Sequence, residues 1–318
     1  MRSTILRKLS FRPWAATAEV APLPATTQFN RELTKELNTL QSLSIGGGEL
    51  GLAQLLDAAI NTQKIALKSL VKIPHRDDVD RGVLEEYLES NVDVLDACNY
   101  FVDRIEDMKK YVNTLRVVTH LIDGVNVNNK HDAMKTTRAL VLLESCNDIE
   151  KKCKKSGLCL RRLMLRQKLF HDDHETEFSE IVTGSKAMAL MGCRFLEQGL
   201  SFDCKSGLPL IKKCPPMFSF LLGLAEKAEG SAVKKLHKRG SRCFVMSELQ
   251  QTVAAARELK EKMKGKGEKE MIKSSVEGLK RSCRGLEDEL DFLEGRVKDL
   301  YKGLIDVRMA LLGILSQA

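Results

Sequence analysis

The densest run of chemically capable side chains is basic. Lys151, Lys152, Lys154, Lys155, Arg161, Arg162, Arg166 and Lys168 lie between Glu150 and Asp172 with no acid among them. Leu158, Leu160, Leu163, Leu165, Leu169 and Phe170 are interleaved with these cations. A basic, partly apolar segment can lie on an anionic membrane or bind an acidic protein face, because its cations find counter-charges while its leucines leave water. The plainer reading is a solvated connector between two helices. Nucleic acid is not an expected partner, since no set of stacking aromatics accompanies the charges.

Other clusters read as structural. His171-Asp172-Asp173-His174 places two imidazoles beside two carboxylates. Metal binding needs ligands converging from fixed elements, whereas an Asp just before a helix serves as its cap and as a favourable first-turn charge. Nine cysteines, with no close Cys-x-x-Cys pair among them, read as reduced thiols inside helical stripes. Cys146, Cys153 and Cys159 lack the paired spacing of a zinc site. Gly46-Gly47-Gly48 follows no strand and lacks the Lys-Ser/Thr of a phosphate-binding loop, so it reads as a hinge. No Ser, His and Asp set or nucleophile elbow is present. No catalytic, cofactor-binding or metal-ligating residue is therefore assigned, and the protein is expected to be a non-enzymatic one whose partners are proteins.

The elements that must position these residues are helical. Ile272, Val276, Leu279, Cys283, Leu286, Leu290, Leu293, Val297, Leu300, Leu304, Val307, Leu311 and Ile314 are separated by alternating steps of four and three, an unbroken heptad seam. At about 1.5 Å per residue such a helix extends roughly 70 Å, which predicts an elongated bundle. Met246, Leu249, Val253, Ala256 and Met263 form a similar stripe just upstream, followed by Gly265-Lys266-Gly267. Together they predict an antiparallel coiled-coil hairpin over 244–318. Pairing within the chain is favoured by effective concentration, so a monomer is expected over a homodimer through the same seam. Beyond Leu300 the apolar face widens to Tyr301, Ile305, Leu312 and Leu315, so further helices should pack at that end.

Composition agrees with an all-α class. Seven prolines, four tyrosines and one tryptophan, with few alternating β-branched runs, argue against sheet. The net charge of +8 sets 51 Lys and Arg against 43 Asp and Glu. Residues 1–26, with Arg2, Arg7, Lys8 and Arg12 and Glu19 as their one acid, read as a disordered basic segment, an organellar transit peptide being the alternative. Residues 27–318 are read as one helical-bundle domain. Helices are predicted at 27–43, 49–70, 79–122, 131–154, 175–200, 216–239 and 246–263, before the long final one. In the third, Asn91 falls in the apolar stripe; it either fixes register in the core or yields that place to Val92. The most apolar stretch, 181–202, is interrupted by Lys186, Arg194 and Glu197, so a membrane-spanning helix is not expected. An intracellular, cytoplasmic location is expected, with plastid or membrane association as alternatives.

Three blocks go beyond periodicity. Leu304-Ile305-Asp306-Val307-Arg308-Met309-Ala310-Leu311-Leu312-Gly313-Ile314-Leu315 resembles the C-terminal signature of the plant BYPASS-like proteins. Val94-Leu95-Asp96-Ala97-Cys98-Asn99 is similar to their central block, and Phe29-Asn30-Arg31 with Leu33 to the start of their first helix. The resemblance implies a helical protein of root and shoot development. It also implies restraint of a mobile, root-derived signal or, in a related branch, vesicle tethering through the exocyst. It implies no reaction and offers no catalytic residue.

Overall fold

The computed structural model describes residues 27–45, 51–72, 81–123, 130–166, 176–202, 246–265 and 269–316, with Phe218, Leu221 and Gly223. Residues 44–45, 130–132, 154–166 and 269 are described by their backbone. The protein is all-α, and its described residues form seven helices: α1 Gln28–Ile45, α2 Leu52–Leu70, α3 Arg81–Ile122, α4 Lys130–Arg166, α5 Glu177–Gly199, α6 Ser247–Lys264 and α7 Lys269–Leu315. Local chemistry sets several starts. The Thr27 hydroxyl accepts from the Asn30 amide (3.2 Å) and that of Thr176 from the Ser179 amide (3.2 Å), while Glu177 and Glu180 sit in the first turn of α5. Residues 1–26, Gly46-Gly47-Gly48, 168–174 and most of the predicted helix 216–239 lie outside the described residues.

Two long antiparallel helices, α3 and α7, organise the rest. Lys109 reaches Asp291 and Glu294 (both 2.5 Å), Arg116 pairs with Glu287, and Lys280 meets Asp123 (2.9 Å). At the other end the Arg308 guanidinium donates to the Leu88 carbonyl. Such half-exposed ion pairs contribute about 1 kcal/mol or less each, so they select register more than they supply stability. Around one half of this pair pack α4 and α6; around the other half pack α2 and α5, with α1 lying on both of these. The result is two four-helix groups that share α3 and α7, with one contiguous cluster of buried apolar side chains running through both.

Every seam residue from Val276 to Leu311 is buried, with Ile272 and Ile314 half-buried at the ends. α6 lies antiparallel on α7, as the bonds from Thr252 Oγ1 to the Ser282 carbonyl (3.0 Å) and from Lys262 Nζ to Ser275 Oγ (2.8 Å) show. The seam is longer than α6, and α2, α3 and α5 cover the remainder, so it is a shared bundle core. In α3, Asn91 holds the core position at 2% exposure while Val92 is 43% exposed. The Asn91 Nδ2 donates to the Tyr87 hydroxyl (3.4 Å), which gives the buried amide a polar neighbour.

α5 is the central element, buried at nearly every residue from Phe178 to Leu200, including Lys186, Arg194 and Glu197. Two glycines let its neighbours approach. A Cβ on Gly184 would stand 2.7 Å from the Phe29 ring, and one on Gly192 would stand 3.3 Å from the Ala59 methyl. Because Phe29 is fully buried, Gly184→Ala is expected to destabilise by about 1–3 kcal/mol through overpacking. Gly278→Ala, where a methyl meets open space, should stabilise by about 1 kcal/mol through helix propensity. Urea midpoints of the two variants check both signs; a Gly184→Ala midpoint at or above that of the parent would show that α1 does not pack this closely.

Candidate functional site

The basic segment is not a connector. α4 continues through it to Arg166, because Lys, Arg, Leu and Met are strong helix formers and no proline intervenes. Lys151 and Lys152 are exposed and engaged, the first with Asp148 (3.2 Å) and the second with Asp107 of α3 (2.7 Å). Lys154, Lys155, Arg161, Arg162 and Arg166 lie on the same helix, and Lys168 falls outside the described residues. The His171 to His174 cluster also lies outside them. Among the described residues no three His, Cys, Asp or Glu side chains come together as a metal site requires.

Where α4 passes α5, a second and unpredicted polar centre forms around Arg104. Its Nε donates to the Leu200 carbonyl (2.9 Å); its Nη1 donates to the Cys153 carbonyl (2.5 Å) and to the Tyr100 hydroxyl (2.7 Å). The Tyr100 hydroxyl in turn donates to Glu197 (3.3 Å). Arg104 thus sits at the C-terminal end of α5, where a cation meets the negative end of the helix dipole. The Met246 amide donates to the Gly199 carbonyl (3.2 Å), so α6 begins where α5 ends. One buried guanidinium therefore joins α3, α4 and α5 at the boundary between the two four-helix groups.

A third polar set ties α2, α3 and α5. Ser185 Oγ donates to Gln63 Oε1 (2.7 Å), Gln63 Nε2 donates back to the Ser185 carbonyl (3.1 Å), and the Tyr87 hydroxyl stands 3.2 Å from Ser185 Oγ. Burial raises the Tyr87 pKa, so the phenol stays neutral and serves as a hydrogen-bonding group. Where α2 packs on α7, Gly303 approaches the buried Gln63 closely enough that a Cβ would stand 3.1 Å from it. Beside that crossing lies an open groove of about 490 Å³ lined by Asp57, Lys64, Arg296, Asp299, Lys302 and Asp306. Its acids and bases offset one another, and Asp57 and Arg296 are already paired at 3.0 Å.

The described thiols are buried. Burial pushes Cys146 up to about 12 and Cys283 up to about 11, with Glu150 next in effect on the first. Burial also raises Cys153. The thiolate is the nucleophile, so these groups are protonated and unreactive at neutral pH.

Each of the three resemblance blocks contributes buried side chains to this interior. Phe29 packs on Gly184, and Asn30 Nδ2 donates to Glu180 of α5 (2.6 Å). Leu95, Ala97 and Cys98 are buried in α3, and Arg308 binds the Leu88 carbonyl one helix away. A family model described as Protein BPS1 matches residues 66–314. Neither a curated protein nor a solved structure matches the chain. With α3, α4, α5 and α6 and all but the last residue of the C-terminal signature inside that span, the chain belongs to the BPS1 family of BYPASS-like proteins.

Proposed function

We propose that the protein is a non-enzymatic helical scaffold acting in root and shoot development, where it restrains a root-derived mobile signal by holding protein partners. The observation that carries this reading is the fate of the reactive side chains. The described thiols are buried, those of Cys146, Cys153 and Cys283 are held protonated, and Arg104, Gln63, Tyr87 and Ser185 are occupied in joining helices. Family membership supports the developmental setting. Proximity labelling in root tissue with a fluorescent, biotin-ligase fusion tests it. The expected result is a recurrent set of cytoplasmic partner proteins, and a labelling pattern equal to that of the free ligase would reject the scaffold.

A second reading is a peripheral membrane or trafficking adaptor, favoured by the continuation of α4 as one helix through Arg161, Arg162 and Arg166. No helix among the described residues is long and apolar enough to cross a membrane, so contact would be at the surface. Reversal of those three arginines to Glu should abolish flotation with phosphatidylserine vesicles and leave helicity intact. Flotation of that variant equal to the parent's would remove the segment from this role.

A further inference from the structure

α3 and α5 run side by side in the same direction, as three contacts between them show. The Tyr87 hydroxyl stands 3.2 Å from Ser185 Oγ, the Tyr100 hydroxyl donates to Glu197 (3.3 Å), and Arg104 Nε donates to the Leu200 carbonyl (2.9 Å). Cys98 falls between Tyr87 and Tyr100 on α3, and Cys193 between Ser185 and Glu197 on α5. Both are buried, at 1% and 0% exposure. There the Cys193 thiol is hydrogen-bonded to the Cys98 thiol. The two sulfurs come from residues far apart in the chain, and polar bonds on either side of them hold the helices in this register.

We infer that Cys98 and Cys193 form a reversible disulfide that staples α3 to α5 when the protein meets an oxidised thiol pool. Disulfide closure needs two cysteines on facing backbones, and thiols already bonded to each other meet that demand. Two packed helices also present each sulfur to the other at high effective concentration. With glutathione disulfide as oxidant, one cysteine thiolate attacks a glutathione sulfur and releases one glutathione. The second cysteine thiolate attacks the protein sulfur of that mixed disulfide and releases the other. Two cysteines are oxidised, one glutathione disulfide is reduced to two glutathiones, and the two thiol protons pass to them. Access sets the rate. The bond to Cys98, and after it burial, hold the Cys193 thiol protonated well above the ordinary thiol range, so attack waits for α5 to part locally from α3. The same packing shields the finished bond from reductant. The staple therefore answers to sustained oxidation and not to a brief pulse. It fixes α5, on which α1 and α2 lie, to a helix shared by both four-helix groups.

The test equilibrates the full chain with reduced and oxidised glutathione, both in buffer and in urea below the unfolding transition, where α5 opens more often. Free thiols are then blocked with N-ethylmaleimide and the peptides mapped by mass spectrometry. The expected main product is a peptide pair linking Cys98 to Cys193, lost on treatment with dithiothreitol. The oxidised protein should show a higher urea midpoint than the reduced one. Cys98→Ala should remove both the link and the midpoint shift, and leave Cys193 to be blocked by the maleimide. In fully denaturing urea the same mixture should scatter pairings over the nine cysteines, since the fold no longer selects the pair. Absence of the Cys98–Cys193 link in both folded conditions overturns the inference. So does a yield no higher than in the denatured chain, or an oxidised protein whose midpoint is not raised.

Discussion

Arg104→Met is expected to destabilise the protein by about 3–5 kcal/mol, the cost of removing one partner from a buried charged network. The side chain it removes holds the Leu200 and Cys153 carbonyls and the Tyr100 hydroxyl, and Glu197, itself buried, would lose the cation joined to it through Tyr100. Methionine fills much of the volume, so the effect isolates the polar role. Arg104→Lys keeps the charge but loses the fork that reaches two carbonyls on different helices, and should fall between parent and methionine. Because the bonds lie where the two four-helix groups meet, Arg104→Met should also broaden denaturant unfolding and lower its apparent m-value as the groups begin to unfold separately. A methionine variant with parental midpoint and slope would show that the guanidinium is dispensable.

Leu290→Asp should cost more than about 3 kcal/mol, through loss of a fully buried side chain and burial of an unpaired carboxylate. Lys298→Ala, eight residues on, removes an exposed i,i+4 pair with Glu294 and should change stability by about 0.5 kcal/mol or less. Comparable melting curves for the two would contradict burial of the seam. Both residues lie on α7, Leu290 on its buried side and Lys298 on its exposed side.

The seam was legible because four-three spacing depends on the helix alone, and Leu290, Leu293 and Val297 repeat it without interruption. α5 was harder to read. Lys186, Arg194 and Glu197 lower its apolarity, and nothing in a linear pattern says that Glu86, at 3.6 Å from Lys186, will supply a counter-charge from another helix. Arg104 did leave a signal. Phe101, Arg104, Met108, Tyr111, Leu115, Val118 and Ile122 form a second four-three stripe on α3, in which an arginine occupies a core place. A helix with two such stripes must be covered on two sides, which is the position α3 takes between the two groups. α4 extends to Arg166, past the expected end at residue 154, because the residues of this cationic run have high helix propensity although so dense a charge resembles a solvated linker. Gln63, Tyr87 and Ser185 had no linear signal, since their meeting depends on three helices packing first.

Sharing α3 and α7 also bears on how the chain is made. The bonds that fix their register join residues far apart in sequence, from Lys109 to Glu294 at a separation of 185 to Arg308 and Leu88 at 220. Such distant closures slow folding. During synthesis α7, which walls both cores, leaves the ribosome after the helices it covers, so α2, α3, α4, α5 and α6 must wait with apolar faces open until it emerges. A nascent chain stalled before Leu290 has neither group complete, which makes the interval between synthesis of α6 and release of Leu311 the period when chaperones have most to protect.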